Sequence, residues 1–298
     1  MDYAFLRERE GDESLPILVV KDVCSGALAA HAVPYKGGND EWVVEQVNRD
    51  MVKWGIRGDV ILRTDQEDAL RDLANQVHRV RQLDGSGRQT NVRTFEELSP
   101  VGESQSNGAI EAGVKNIEGM VRTLKYDLEE KLQIKVNIHS PLFHWLIEHA
   151  ADLHTKYAIG REDGMTAWER LKGKKCSAEV HDFASRIMHR VPGKTKGGEM
   201  SYRWLEGVWL GNRWESSEHY VGLPSGDVVR AGAVQSVPEE RQWDKDLVLG
   251  IHGKPWQPTS TIQRKRNPET TVPRPEREVE GTQPEPAPVV SRGMPVLA

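Results

Sequence analysis

Two cysteines, Cys24 and Cys176, are all that this 298-residue chain carries. Two thiols cannot build a disulfide framework or a four-cysteine zinc site. A chain so poor in cysteine suits a reducing intracellular compartment. Long apolar runs are missing as well. None approaches the ~20 residues that a membrane-spanning helix needs, and the opening MDYAFLRERE has no secretory pattern, so no membrane partner is expected. Charge of one sign is not in large excess: 40 Lys and Arg stand against 45 Asp and Glu, a net of −5. That balance argues against a general nucleic-acid coat but leaves room for one local basic surface. Phenylalanine is scarce, with four residues, whereas tryptophan reaches nine.

What is present reads as alternating strands and helices. MDYAFL, LPILVVKDV and ALAAHAVPY look like an antiparallel meander with a turn at Ser25-Gly26. NDEWVVEQVNRDMVKWG repeats apolar residues at helical spacing through Val44, Val47, Met51 and Trp54. Asn39 or Asp40 suits its start and Gly55 its end. DVILRTD is a short strand ending at Asp65. EDALRDLANQVHRVRQL is helical through Leu70, Leu73, Val77 and Val80, and TNVRTF is a short strand. The clearest helix is expected over 109–132, with Ile110, Val114, Ile117, Val121, Leu124 and Leu128 on one face. Glu111, Lys115, Glu118 and Arg122 form a second, polar line about 100° round the axis. SPLFHWLIEHAADLHTKYA starts another helix, with Ser140 as cap and Pro141 at the first position.

Beyond residue 160 the texture changes. Residues 172–196 carry seven Lys and Arg against two acids. Short β-like runs with turn signals follow to Trp256, rich in tryptophan, as in a small barrel or sandwich. Residues 257–298 hold eight of the 16 prolines and read as disordered.

Three acids stand at the ends or edges of these elements: Asp2 on the first strand, Asp65 at the end of VILRTD, and Glu111 at the start of the long helix. Sites of open α/β sheets gather at such places. Clustered carboxylates repel unless a cation relieves them, and Mg²⁺ takes oxygen ligands, among them substrate phosphate. For any one strand-end aspartate a solvated cap is the simpler reading; the ordered set is more informative.

The runs MDYAFL, VVKDVCSGALAAHAVP, ILRTDQE and SQSNGAIEAGVKN resemble the catalytic core of retroviral and LTR-retrotransposon integrases. GMTAWERLKGKK resembles the stretch at the end of that core, so the resemblance covers residues 1–175, and the Trp-rich region is similar to the family's C-terminal β module. It implies an α/β fold: an RNase H-like mixed five-stranded sheet flanked by helices, then a small C-terminal β-barrel-like module and a disordered tail. The implied division is 1–160 catalytic core, 161–198 basic helical linker, 199–256 Trp-rich β module and 257–298 Pro-rich tail. It implies a D,D,E site in which Asp2, Asp65 and Glu111 hold Mg²⁺ or Mn²⁺, and DNA contacts from Asn107, Lys115 and Arg122. It also implies metal-dependent integration of element DNA ends into target DNA by a homo-multimer, with the Ser104–Gly108 loop moving to admit DNA.

The sequence departs from that pattern. TDQED lacks the Asn-Gly that usually follows the second aspartate, Glu118 stands where a base is common, and the spacing of Asp65 and Glu111 is longer than the retroviral one. The family's zinc-binding domain ahead of the core is not found, as in a polyprotein fragment or a degenerate copy. The alternative is therefore an inactive retroelement remnant that binds nucleic acid or chromatin.

Other features have plainer readings beside their functional ones. Asp22 suits a turn as well as the site. His139, His144, His149 and His154 recur every five residues, which does not align them on one helix face for zinc. The tryptophans of the β region suit core packing or base stacking. The basic run suits a solvated linker or a phosphate-contacting arm. QRKRN at 263–267 matches a nuclear import signal, giving a nuclear location as the expectation.

Overall fold

The computed structural model describes residues 1–83, 87–98, 104–190, 202–216 and 218–259, apart from the side chains of 104–107. β1 (Asp2–Leu6), β2 (Leu15–Lys21) and β3 (Leu28–Ala32) form the expected antiparallel meander, with Asp2 opposite Val19 and Val19 opposite Ala30. β2 is central and covered on both faces, which is why LPILVV is continuously apolar rather than alternating. Asp22 makes the following turn, accepting from the backbone N–H of Cys24 and Ser25, while Gly26 adopts φ +79°. The turn role thus belongs to Asp22.

α1 (Glu41–Lys53) is capped by Asp40, which accepts from the Trp42 N–H. β4 (Val60–Thr64), α2 (Asp68–Arg81) and β5 (Thr94–Leu98) form a parallel βαβ unit. α1 and α2 bury Val44, Val47, Leu70 and Leu73 against Leu18 and Val20. On the other face α3 (Ser104–Leu132) and α4 (Pro141–Tyr157) bury Ile117, Val121, Leu146 and Ile147 against Ile17 and Val19. Helices therefore cover both faces of the strands, the arrangement of an α/β core.

The expected single five-stranded sheet is not formed as a continuous ladder. The strands pair as a three-stranded and a separate two-stranded sheet. The Met1 amino group, donating to the Arg63 carbonyl at 2.8 Å, links them. The reason is overlap: β1 begins at Asp2 just where β4 is ending at Thr64, so only their tips lie side by side.

α3 starts at Ser104, ahead of the expected Ala109, so Ser104–Gly108 is the opening of the helix and not a loop. Extending a helix costs far less than nucleating one, and the strong apolar stripe downstream supplies the nucleus. Gly113 lets α3 lie close on β3: a Cβ there would come within 2.9 Å of Leu28 Cδ2.

α5 (Ala167–Lys172) has a full Thr166/Glu169 capping box and ends at Gly173 in the left-handed conformation. Within the span expected as a helical linker, Arg186–Arg190 is instead a strand, β6. With β7 (Trp204–Asn212), β8 (His219–Gly222), β9 (Val228–Ala231) and β10 (Val234–Ser236) it makes an antiparallel sheet ordered β10-β6-β7-β8-β9. That sheet is open, with β10 and β9 as edges, where a barrel would close. α6 (Lys245–Leu249) follows. Val208, Leu210 and Val248 share one buried cluster with Trp145 and Leu146 of α4, and residues Met1–Ser260 form one compact unit. The separate unit Thr261–Ala298, with the proline-rich tail and QRKRN, lies outside the described residues.

Candidate metal and nucleic-acid site

β1 and β4 bring Asp2 and Asp65 together. The Met1–Arg63 hydrogen bond places the two strand tips side by side, and the Asp2 carboxyl feels the charge of Asp65. Asp2 is half-buried, and its carboxyl is pushed above the usual carboxylate range. Burial is the leading cause, and the charges of Asp65 and Glu67 add to it. The Tyr3 N–H, donating to Asp2 Oδ1 at 2.8 Å, and the Met1 ammonium oppose the shift. Asp65 is exposed and accepts from the Gln66 N–H at 2.7 Å.

Glu67 and Lys36 were not singled out by the sequence, and both belong to this corner. Glu67 precedes α2 and pairs with Lys36. The Lys36 ammonium lies over the rings of Tyr3 and Phe5, at 5.1 and 4.5 Å from their centres. The one available signal was position: Glu67 follows Asp65 by two residues in TDQED.

Glu111 is exposed in the early turns of α3. Lys21, at the end of β2, donates to the Ala109 carbonyl at 2.9 Å and so ties the start of that helix to the strand whose Val19 faces Asp2. Among the described residues no three of His, Cys, Asp and Glu approach closely enough to hold a metal ion. Asp2 and Asp65 lie near enough for their charges to interact, and among the described residues Glu111 does not complete a triad with them. Lys115 and Arg122 are exposed on the same helix line as Glu111, and the Glu111–Lys115 pair that helical spacing allows is not formed among the described ion pairs. Asn107 lies within α3, but its side chain is outside the described residues.

Two carboxylates from adjacent strand tips, one of them raised by burial and like charge, suit a hard divalent cation, which takes oxygen donors and relieves that repulsion. Among the described residues the pair is not joined by a third such donor.

The histidines of α4 and Trp209 of the β region are packing residues. His144 stacks on Trp256 and His149 on Phe183, both buried, while His154 faces Asn116 of α3. Trp209 is fully buried and donates to His219 Nδ1, so its indole is core and not a stacking platform.

No family model matches the sequence, and no curated protein matches it. Among solved structures, a simian T-cell lymphotropic virus intasome in complex with PP2A regulatory subunit B56 gamma is similar at TM-score 0.40 and 11% identity, over 80% of this chain and 78% of that one. The HTLV-2 integrase catalytic core domain in complex with magnesium, in a trimeric form, is similar at TM-score 0.38 and 12% identity, over 57% of this chain and 93% of that one.

Proposed function

We propose that the chain is a metal-dependent polynucleotidyl transferase of the integrase type, which processes the 3′ ends of element DNA and joins them to target DNA. The observation that supports this reading is the proximity of the β1 and β4 tips that carry Asp2 and Asp65, with Asp2 raised by burial and by the charge of Asp65. Asp2 and Asp65 would hold Mg²⁺ or Mn²⁺, and Glu111 would join them when DNA seats against the start of α3. The bound ions would supply activation of the attacking oxygen and charge neutralisation at the phosphate. Lys115 and Arg122, exposed and on the Glu111 line, would contact the DNA backbone together with Asn107. The working form would be a homo-multimer on paired DNA ends, in the nucleus.

A second reading is a nucleic-acid or chromatin-binding remnant without activity. The lack of a closed three-acid group among the described residues favours it. One experiment separates the two: strand transfer of a labelled oligonucleotide with Mg²⁺, Mn²⁺ or chelator. Metal-dependent joining that is lost in Asp65→Asn and in Glu111→Gln, with DNA binding kept, supports the transferase. DNA binding with no metal-dependent joining sinks it and leaves the remnant.

A further inference from the structure

Between α1 and α4 on one side and β3, β7 and β8 on the other lies a chamber of about 80 Å³. A water-sized group needs ~10–15 Å³ of such space, so the chamber admits a small head group rather than one water. A wider cleft of about 960 Å³ adjoins it, and Lys53, Trp145, Glu148, Glu215 and Tyr220 line both.

Four acceptor atoms of the chamber's lining residues have no donor among the described residues. His149 is 5% exposed and packs its ring face on Phe183, which leaves Nδ1 buried without a partner. Burial keeps that ring neutral, so Nδ1 can offer a lone pair. Gly211, at φ +129°, forms the wall beside it, and a Cβ there would come within 3.5 Å of Nδ1. Asn212 Oδ1 is also buried and unpartnered, while its amide nitrogen donates to the Glu179 carbonyl. Glu148 Oε1 contacts His31 and Asp152 Oδ2 accepts from Lys156, which leaves Glu148 Oε2 and Asp152 Oδ1.

Charge points the same way. Asp50 is contacted by two cations, His31 and Lys53, whereas Glu148 has only a share in His31. Two carboxylate oxygens and two neutral acceptors repel an anion and call for N–H donors. A bare metal ion is not their match, because among the described residues no three of His, Cys, Asp and Glu approach closely enough to hold one. An ammonium carries three donors on a narrow apolar stem. Trp145, Tyr220 and Val229 in the adjoining cleft give such a stem a surface to lie on.

We propose that the chamber binds a primary alkylammonium, carried either by a free aliphatic amine or by a lysine side chain of a partner. The head group takes Glu148, Asp152, His149 and Asn212, and the stem lies in the cleft. Since α1 and α4 supply one wall and β7 and β8 the other, the ligand ties the β region to the core. The site shares no residue with the Asp2–Asp65 corner and does not depend on the transferase reading.

Calorimetric titration of the full chain at low salt and neutral pH tests it, with cadaverine in one arm and acetyl-Gly-Lys-Gly-amide in the other. Saturable binding is expected in at least one arm, with a raised melting temperature. Binding of cadaverine alone assigns the site to a free amine, and binding of the peptide assigns it to a lysine side chain. Tetramethylammonium, which has the charge and no N–H, is expected not to bind. Glu148→Gln is expected to weaken binding about tenfold, the size of one charge-assisted hydrogen bond, with circular dichroism unchanged. Asn212→Ala, which removes a neutral acceptor from a partly exposed residue, is expected to weaken it as well and carries the comparison if Glu148→Gln does not fold. Three results overturn the proposal: no saturable binding in either arm, equal binding of tetramethylammonium, or full affinity in the folded variants.

Discussion

His31 shows how much a single side chain can be asked to hold. It is buried on β3, and its ring nitrogens contact Asp50 at 2.7 Å and Glu148 at 3.1 Å. Burial alone would keep the imidazole neutral, yet Asp50 and Glu148 overcome it and push the pKa up to about 9. Asp50 also takes Lys53 at 3.0 Å, and its own pKa is lowered, burial being outweighed by Lys53 and His31. Because folding raises the His31 pKa above its unfolded value of about 6.5, its contribution is complete below pH ~6.5 and is lost as pH rises through about 9. Asp50→Asn removes the carboxylate that His31 and Lys53 share and leaves Glu148 as the acid beside them; removing one partner of a buried ion pair costs about 3–5 kcal/mol. Urea unfolding near pH 6 is expected to show that loss. The same titration repeated toward pH 10 is expected to show the wild type weakening while His31→Gln stays flat over that range. An equally steep alkaline limb in His31→Gln would remove the histidine from the account.

Elements carry the opposite pH limb. α4 presents His144 and His149 to the β region, and both are neutral there. Burial pulls His144 down to about 4 and His149 to about 3, with Lys254 and Lys156 respectively adding repulsion. A histidine whose folded pKa is depressed loses stability as pH falls below its unfolded value, since only the unfolded chain takes the proton. Stability should therefore crest near neutral pH and fall on both sides. His149→Phe, which keeps the stack on Phe183 and the edge contact with Trp209, is expected to flatten the acid limb between pH 6.5 and 4 in thermal melts; an unchanged acid limb would place its cause elsewhere. Periodicity and capping made most elements readable in advance: Ser140 and Pro141 open α4, Asp40 caps α1, and the 3.6-residue stripe of α3 is buried at Ile117, Val121 and Leu128. Local rules missed what tertiary contact decides. RIMHR reads as part of a basic linker, and becomes β6 because β7 and β10 offer it edges on both sides. SQSN reads as a loop, and becomes helix because α3 propagates back through it. Asp2 and Asp65 were legible as acids at strand ends, and the structure puts them there; the Lys36–Glu67 pair was not legible, since an ion pair between the approach to α1 and the start of α2 leaves no pattern in the sequence.

On the scale of the whole molecule, the β region is fastened to the core by aromatic and cationic side chains more than by strand pairing. Trp214, in the connection between β7 and β8, meets Trp168 of α5 edge-on at 4.6 Å. The ammonium groups of Lys156 and Lys172 lie over both rings, within 5.9 Å of each centre. The Trp214 indole donates to the Lys53 carbonyl at 3.2 Å, which ties the hairpin to the end of α1, and the Trp145 indole donates to the Gly253 carbonyl at 2.8 Å from the α4 side. Each cation over a ring contributes about 0.5–2 kcal/mol, the more so when desolvated, and these contacts add to a hydrophobic cluster that runs without a break from β2 to β7. A chain joined in this way unfolds as one unit, so calorimetry is expected to show a single transition for residues 1–260, with calorimetric and van't Hoff enthalpies equal. Trp214→Ala removes a half-buried aromatic and the seat of two cations at once, for about 2–4 kcal/mol. That loss falls on the joint and not on either half, so the expected outcome is a melt that separates into two transitions, with the β region leaving first. A mutant that still melts in one step, merely at lower temperature, would show that the apolar cluster around Trp145 and Leu210 holds the two parts together without the Trp214 clamp.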